Sequence, residues 1–197
     1  MPRTKLRTAD LKIRLLASAV ATLEAEGVAG LTTRRVASGA STSTPAVYEL
    51  FGDRAGLVRE LFIQGYRRLA QHLREAGQSA DPVEDLVCLV EAYRAFVLAN
   101  PGLAQIMFAR PFADFDPGPE EASAGRKARR TVLDCVRRCI EAGAIEGDRE
   151  DIAHVLLALA QGLAAQESAG WLGSGLASRD RRWRLGVEAT LAGFAPR

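Results

Sequence analysis

Residues 31–51 read LTTRRVASGASTSTPAVYELF, and the fold turns on this stretch. Thr32 suits an N-cap, because its hydroxyl can accept from a free first-turn amide. Leu31 just before it and Val36 four residues after it form the pair of a hydrophobic staple. Val36, Ala37 and Ala40 give the short helix a small apolar face. A turn over 39–42 follows, and Ser43 is expected to cap a second helix that ends at Phe51. Pro45 lies in that helix's first turn, where its missing N–H costs nothing. Val47 and Phe51, four apart, face inward, which leaves Thr44, Pro45, Ala46 and Tyr48 outward or lateral. Two short helices about a tight turn make a helix-turn-helix, whose second helix offers its N-terminal residues to base edges in the major groove.

Outward from this stretch the pattern is helical throughout. Residues 10–27 carry Leu15, Leu16, Ala19, Val20 and Leu23 at three-to-four spacing, with Gly27 as a stop. Asp53 caps a helix to about Glu75, and Asp81-Pro82-Val83-Glu84 opens another that stops at Asn100-Pro101. A short helix over 101–110 presents Leu103, Ile106, Met107 and Phe108, and a Pro- and Asp-rich loop with Phe112 and Phe115 follows. A long helix from about Pro119 to Ala142 has Val132, Cys135, Val136, Cys139 and Ile140 on its apolar stripe. The helix after Asp148 shows Ile152, Val155, Leu156, Leu159 and Leu163. The last helix, from about Arg179 to Phe194, shows Trp183, Val187, Leu191 and Phe194. No segment alternates as a strand would, so the fold class is all-α, about nine helices, with a three-helix head.

The chain has 197 residues, 48% apolar and 25% charged, ordinary values for a folded protein with a sizeable core. It contains no run of about 18 apolar residues, so no membrane-spanning helix is expected. The polar, basic start is not a secretory signal. Three cysteines, Cys88, Cys135 and Cys139, make no disulfide framework and fit a reducing cytoplasm. The net charge of +2 is uneven: residues 1–60 hold nine Lys and Arg against six Asp and Glu. A basic start on a near-neutral body reads as a polyanion contact or as a solvated tail, and the helix-turn-helix favours the first.

No catalytic constellation emerges, so the chain is not expected to be an enzyme. His72 and His154 sit in helical stretches away from any nucleophile. Cys135 and Cys139 share a helix face, but on an apolar stripe thiols behave as small hydrophobes. No metal or cofactor is therefore expected. The basic run Arg126 to Arg130 reads as a solvated helix face rather than a second nucleic-acid patch.

The head resembles the DNA-binding domain of the TetR family of bacterial transcriptional regulators. Thr32 to Ala37 follows the family's pattern at the first short helix, Ser43 to Tyr48 with Phe51 follows it at the second, and Arg54 stands where a basic residue opens the next helix. Three positions depart. Ser41-Thr42 replaces a common Gly-Val, which implies a less tightly specified turn, and Leu50 replaces a His or Tyr that would meet a phosphate. Residues 92–112, AYRAFVLANPGLAQIMFARPF, resemble the opening of the regulatory domain in one TetR subgroup. That subgroup usually has Trp and His-Gly where Leu157 and Gln161-Gly162 stand here.

The resemblance implies a DNA-binding domain over 1–53 and a ligand-binding and dimerisation domain over 54–197. It implies a cytoplasmic, ligand-responsive homodimer, a repressor released from a palindromic DNA operator by a small apolar effector. Base contacts would come from Thr44, Pro45, Ala46 and Tyr48, and phosphate contacts from Thr33, Arg34, Ser43, Tyr48 and Arg54. The last two helices would pair between subunits through Leu156, Leu159, Leu163, Trp183, Val187 and Leu191. The aromatic and Met residues between the two ends read either as plain core or as a cavity lining. In the second case the effector would meet Phe96, Leu103, Met107, Phe108, Phe112, Cys139 and Gln161. The competing reading is an all-α small-molecule-binding protein or enzyme whose helix-turn-helix is vestigial.

Overall fold

The structure, a computed structural model, describes residues 2–76, 79–109 and 115–196, without the side chains of residues 2–7. Among the described residues there are nine α-helices and no strand: α1 Pro2–Gly30, α2 Thr33–Gly39, α3 Thr44–Phe51, α4 Arg54–Glu75, α5 Pro82–Ala99, α6 Pro101–Ala104, α7 Pro119–Glu141, α8 Arg149–Ser168 and α9 Leu176–Gly193. One π-helical segment, Gln105–Ala109, continues α6. The single short helix expected over 101–110 is thus an α turn widened into a π turn. Two bounds also shift: α1 begins at Pro2 rather than Asp10, and α9 at Leu176 rather than Arg179. Phe112, with the other residues of 110–114, lies outside the described residues.

Local chemistry sets most helix starts. The Asp53 carboxylate accepts from Gly56 N at 2.6 Å, Asp81 from Val83 N at 2.9 Å, and Asp148 from Glu150 N at 2.8 Å. Each satisfies amides that a helix start leaves free. α1 bends at Gly27, whose φ of 67° is one that a Cβ disfavours.

Two compact units result: Met1–Tyr66 with Asn100–Ala124, and Arg67–Ala99 with Gly125–Arg197. In the first, α1 is the floor. Leu15, Ala19 and Leu23 are buried, and α6 crosses so closely that a Cβ on Gly102 would lie 2.8 Å from that of Leu23. In the second, Leu86, Val90, Val136, Cys139, Ile152 and Leu156 form the core. No single helix among the described residues is long and apolar enough to cross a membrane.

Candidate nucleic-acid interface

The head is built as its sequence dictates. The Thr32 hydroxyl accepts from Arg35 N at 3.3 Å, and Leu31 and Val36 of the staple are both fully buried. At the end of α2, Ser41 N donates to Ser38 O at 3.0 Å and Thr42 N to Ala37 O at 2.9 Å. These two bonds make a Schellman motif. Its C′ residue is Ser41, the one non-glycine with positive φ (52°) among the described residues. The turn expected to be loosely specified is therefore fully bonded, with a Ser in the place a Gly would hold more easily. Gly39 has its own constraint, since a Cβ there would come 2.3 Å from Ser18 Oγ. That hydroxyl donates to Val36 O at 2.9 Å, tying α1 to α2.

α3 then projects its first turn. Val47 and Phe51 are buried, Ser43 and Pro45 are exposed, Thr44 and Ala46 are half-buried, and Tyr48 is 48% exposed. Ser43 makes no capping bond, contrary to expectation, so its hydroxyl does not serve the α3 amides. Thr33 Oγ1 lies 3.5 Å from Tyr48 OH, which brings two of the expected contact residues together across the α2–α3 pair. Arg34 and Arg54 are exposed. Arg35 is ion-paired with Glu26. Lys12 reaches Glu60 at 2.6 Å and lies 5.8 Å from the Phe51 ring centroid, fastening α1 to α4 and α3. The result is a rigid scaffold with hydroxyls, a methyl-bearing Ala, a Pro and a phenol on one exposed face, flanked by guanidinium groups. Such a surface suits base edges with phosphates beside them.

Elsewhere the expected residues are placed differently. Leu103 and Met107 are buried in the first unit, where Met107 Sδ lies 2.5 Å from a Cβ built on Gly65, and Phe108 stacks edge-on to Tyr66. Phe96 and Cys139 are buried in the second unit, with Phe96 beside His72 and the Cys139 thiol donating to Pro82 O at 3.0 Å. Gln161 is exposed on α8. Of the expected effector residues that are described, Leu103, Met107 and Phe108 thus belong to the first unit and Phe96, Cys139 and Gln161 to the second.

The residues expected at a dimer interface divide by exposure. Leu156 is 2% exposed, Trp183 5% and Val187 4%, so these three are buried within the chain itself. Leu159 and Leu163 are half-buried, each with a methyl 3.3 Å from a Cβ built on Gly186, and Leu191 is half-buried. The face that does point outward carries Val155, Ala158, Gly162 and Ala165 of α8, and Leu185, Ala189 and Ala192 of α9.

Sequence reasoning missed two partly buried ionic clusters in the second unit, each built on a buried carboxylate. Arg94 forks onto Glu167 with bonds of 2.8 and 2.7 Å, donates to Asp180 at 2.7 Å and lies 5.4 Å from the Trp183 ring. Trp183 Nε1 also donates to Glu167, at 2.7 Å. The Arg94 guanidinium holds the Glu167 carboxyl below its usual range, outweighing burial, with the Trp183 bond helping. Arg138 likewise bonds Asp85 at 2.6 Å and Ser79 O at 2.9 Å. Burial pushes the Asp85 carboxyl up, but the Arg138 and Ser79 bonds together hold it below its ordinary value. The available signal was a charged residue on an otherwise apolar helical stripe: Arg94 among Leu89, Val90, Tyr93 and Val97.

Comparison with known proteins agrees with this geometry. Residues 15–61 match the model of bacterial regulatory proteins of the tetR family, and residues 86–190 match that of the tetracyclin repressor-like C-terminal domain. The chain belongs to the TetR family. Among solved structures, this TetR-family chain is similar to a protein of unknown function from Rhodococcus sp. RHA1, with 29% identity, a TM-score of 0.82, and 94% of this chain and 96% of that one covered. Two more distant relatives share the fold. One is PfmR, a TetR family transcriptional regulator from Thermus thermophilus, at 18% identity and TM-score 0.69 over 91% of this chain and 97% of that one. The other is the transcriptional regulator FadR from Bacillus subtilis, in complex with stearoyl-CoA, at 11% identity and TM-score 0.75 over 93% and 99%. No curated protein matches. The TetR-type head makes the chain a transcriptional regulator with a DNA-binding helix-turn-helix.

Proposed function

We propose that this regulator is a repressor that binds a palindromic operator as a homodimer and leaves it when a small effector binds the C-terminal part of each subunit. The observation that carries the DNA half is the start of α3, where Pro45 and Tyr48 are exposed and Thr44 and Ala46 half-buried on a helix anchored by buried Val47 and Phe51. Thr44 and Ala46 offer methyls to thymine, Tyr48 and Thr33 offer hydroxyls, and Arg34 and Arg54 offer charge to phosphates. The dimer half is supported by the outward stripe of α8 and α9, on which Val155 is 46% and Leu185 61% exposed. An apolar face of small residues lets helices of two copies approach closely, and a twofold pair of heads matches a palindrome. Selection of bound sites from random duplexes tests the reading: it should recover an inverted repeat.

A further inference from the structure

We infer that the effector is an amphipathic monoanion, a carboxylate or phosphate head on an apolar body, held between α4, α5 and α7; this rests on the regulator reading above. An opening of about 250 Å³ lies there in the second unit. Leu73, Leu89 and Cys135 give it apolar walls, while Arg74, Arg138 and the Thr131 hydroxyl give it donors. Two guanidinium groups face a single carboxylate, Asp85, so the lining keeps one positive charge in excess.

Arg138 is already oriented. Its bonds to Asp85 and Ser79 O use two of its five N–H groups and fix the plane of the rest. A prearranged guanidinium with spare donors, set against leucine walls, favours an anion over a neutral or cationic ligand of the same shape. Arg74 is exposed and supplies the second donor from the last turn of α4. The apolar body has a place as well. A second, smaller apolar cavity of about 20 Å³ shares Leu73 and Leu89 with the opening, and Leu86, Val90, Val132 and Leu156 wall it further in. A chain extending inward from a head held at the arginines would have to displace the buried Leu73 and Leu89. The ligand would thereby press on α4, the helix that starts at Arg54 of the head.

The test uses the full-length protein and thermal-shift titration with straight-chain monocarboxylates from hexanoate to dodecanoate, alkyl phosphates, and alcohols and amines of the same lengths. Saturable stabilisation by an anionic series is expected, with neither alcohols nor amines matching it. Arg74→Gln, an exposed change that spares the fold, should weaken the binding about tenfold or more. Arg138→Lys, which keeps the charge and loses the fork, should weaken it as well. The inference is overturned if no anion binds, if alcohols or amines bind as tightly, or if Arg74→Gln binds like the parent. Operator binding measured without added anion separates the failures. A protein that holds its selected site but ignores every anion refutes this ligand alone, whereas one without sequence preference refutes the regulator reading.

Discussion

Ser41 shows how a single residue sets the head. A non-glycine residue in the left-handed region costs about 1–2 kcal/mol, of which glycine's extra chain entropy would take back about 0.5–1. With both Schellman bonds in place, Ser41→Gly should raise stability by about 0.5–1 kcal/mol in urea titrations and leave DNA affinity unchanged. The opposite holds at Gly56, where a Cβ would lie 1.8 Å from Phe51 O. Backbone cannot yield as a side chain can, so Gly56→Ala should destabilise by about 3 kcal/mol by the same measurement. On the exposed face, Thr44→Ala and Tyr48→Phe should each cost about 1–3 kcal/mol on the specific site and little on scrambled DNA. Arg54→Ala should weaken both alike and reduce the salt slope by about one ion.

At the scale of elements, what the sequence makes legible is what is local. The caps at Thr32, Asp53, Asp81 and Asp148 use partners two or three residues away, so the pattern alone locates them. The head was legible for the same reason, its motif being contiguous. Which side of α8 and α9 is buried within the chain was not. The periodic stripe of Leu156, Trp183 and Val187 marks the side of α8 and α9 turned to the subunit's own core. The outward side mixes small residues such as Ala158, Gly162 and Ala189 with charged and polar ones, which carries no strong signal in a sequence. Arg94 and Glu167 meet across 73 residues, a pairing that no local pattern encodes. Their network joins α5, α8 and α9, so Glu167→Ala, which leaves the half-buried Arg94 with Asp180 alone and Trp183 Nε1 without its acceptor, should cost about 1–3 kcal/mol. Because the folded carboxyl of Glu167 is depressed, its contribution is complete above the ordinary glutamate value of about 4.3 and is lost as pH falls through the folded value. Denaturation followed from neutral pH downward should show an acid limb that is shallower in Glu167→Gln.

For the whole molecule, the proposed twofold pairing through the outward faces of α8 and α9 makes assembly separable from folding. Leu185→Glu places a charge on a 61% exposed position, so it should give folded monomers by light scattering and lose high affinity for a palindrome. Trp183→Ala removes a buried ring that donates to Glu167 and should lower stability before it changes assembly. The central claim is sequence-specific reading of DNA by the first turn of α3. It is tested most directly by fluorescence anisotropy on the selected inverted repeat and on a scrambled duplex, at several salt concentrations, for the parent protein and Thr44→Ala. The account predicts tighter binding of the parent to the repeat, a preference that persists across salt and shrinks in the variant. Equal affinity for both duplexes, or a preference that Thr44→Ala leaves untouched, would contradict it.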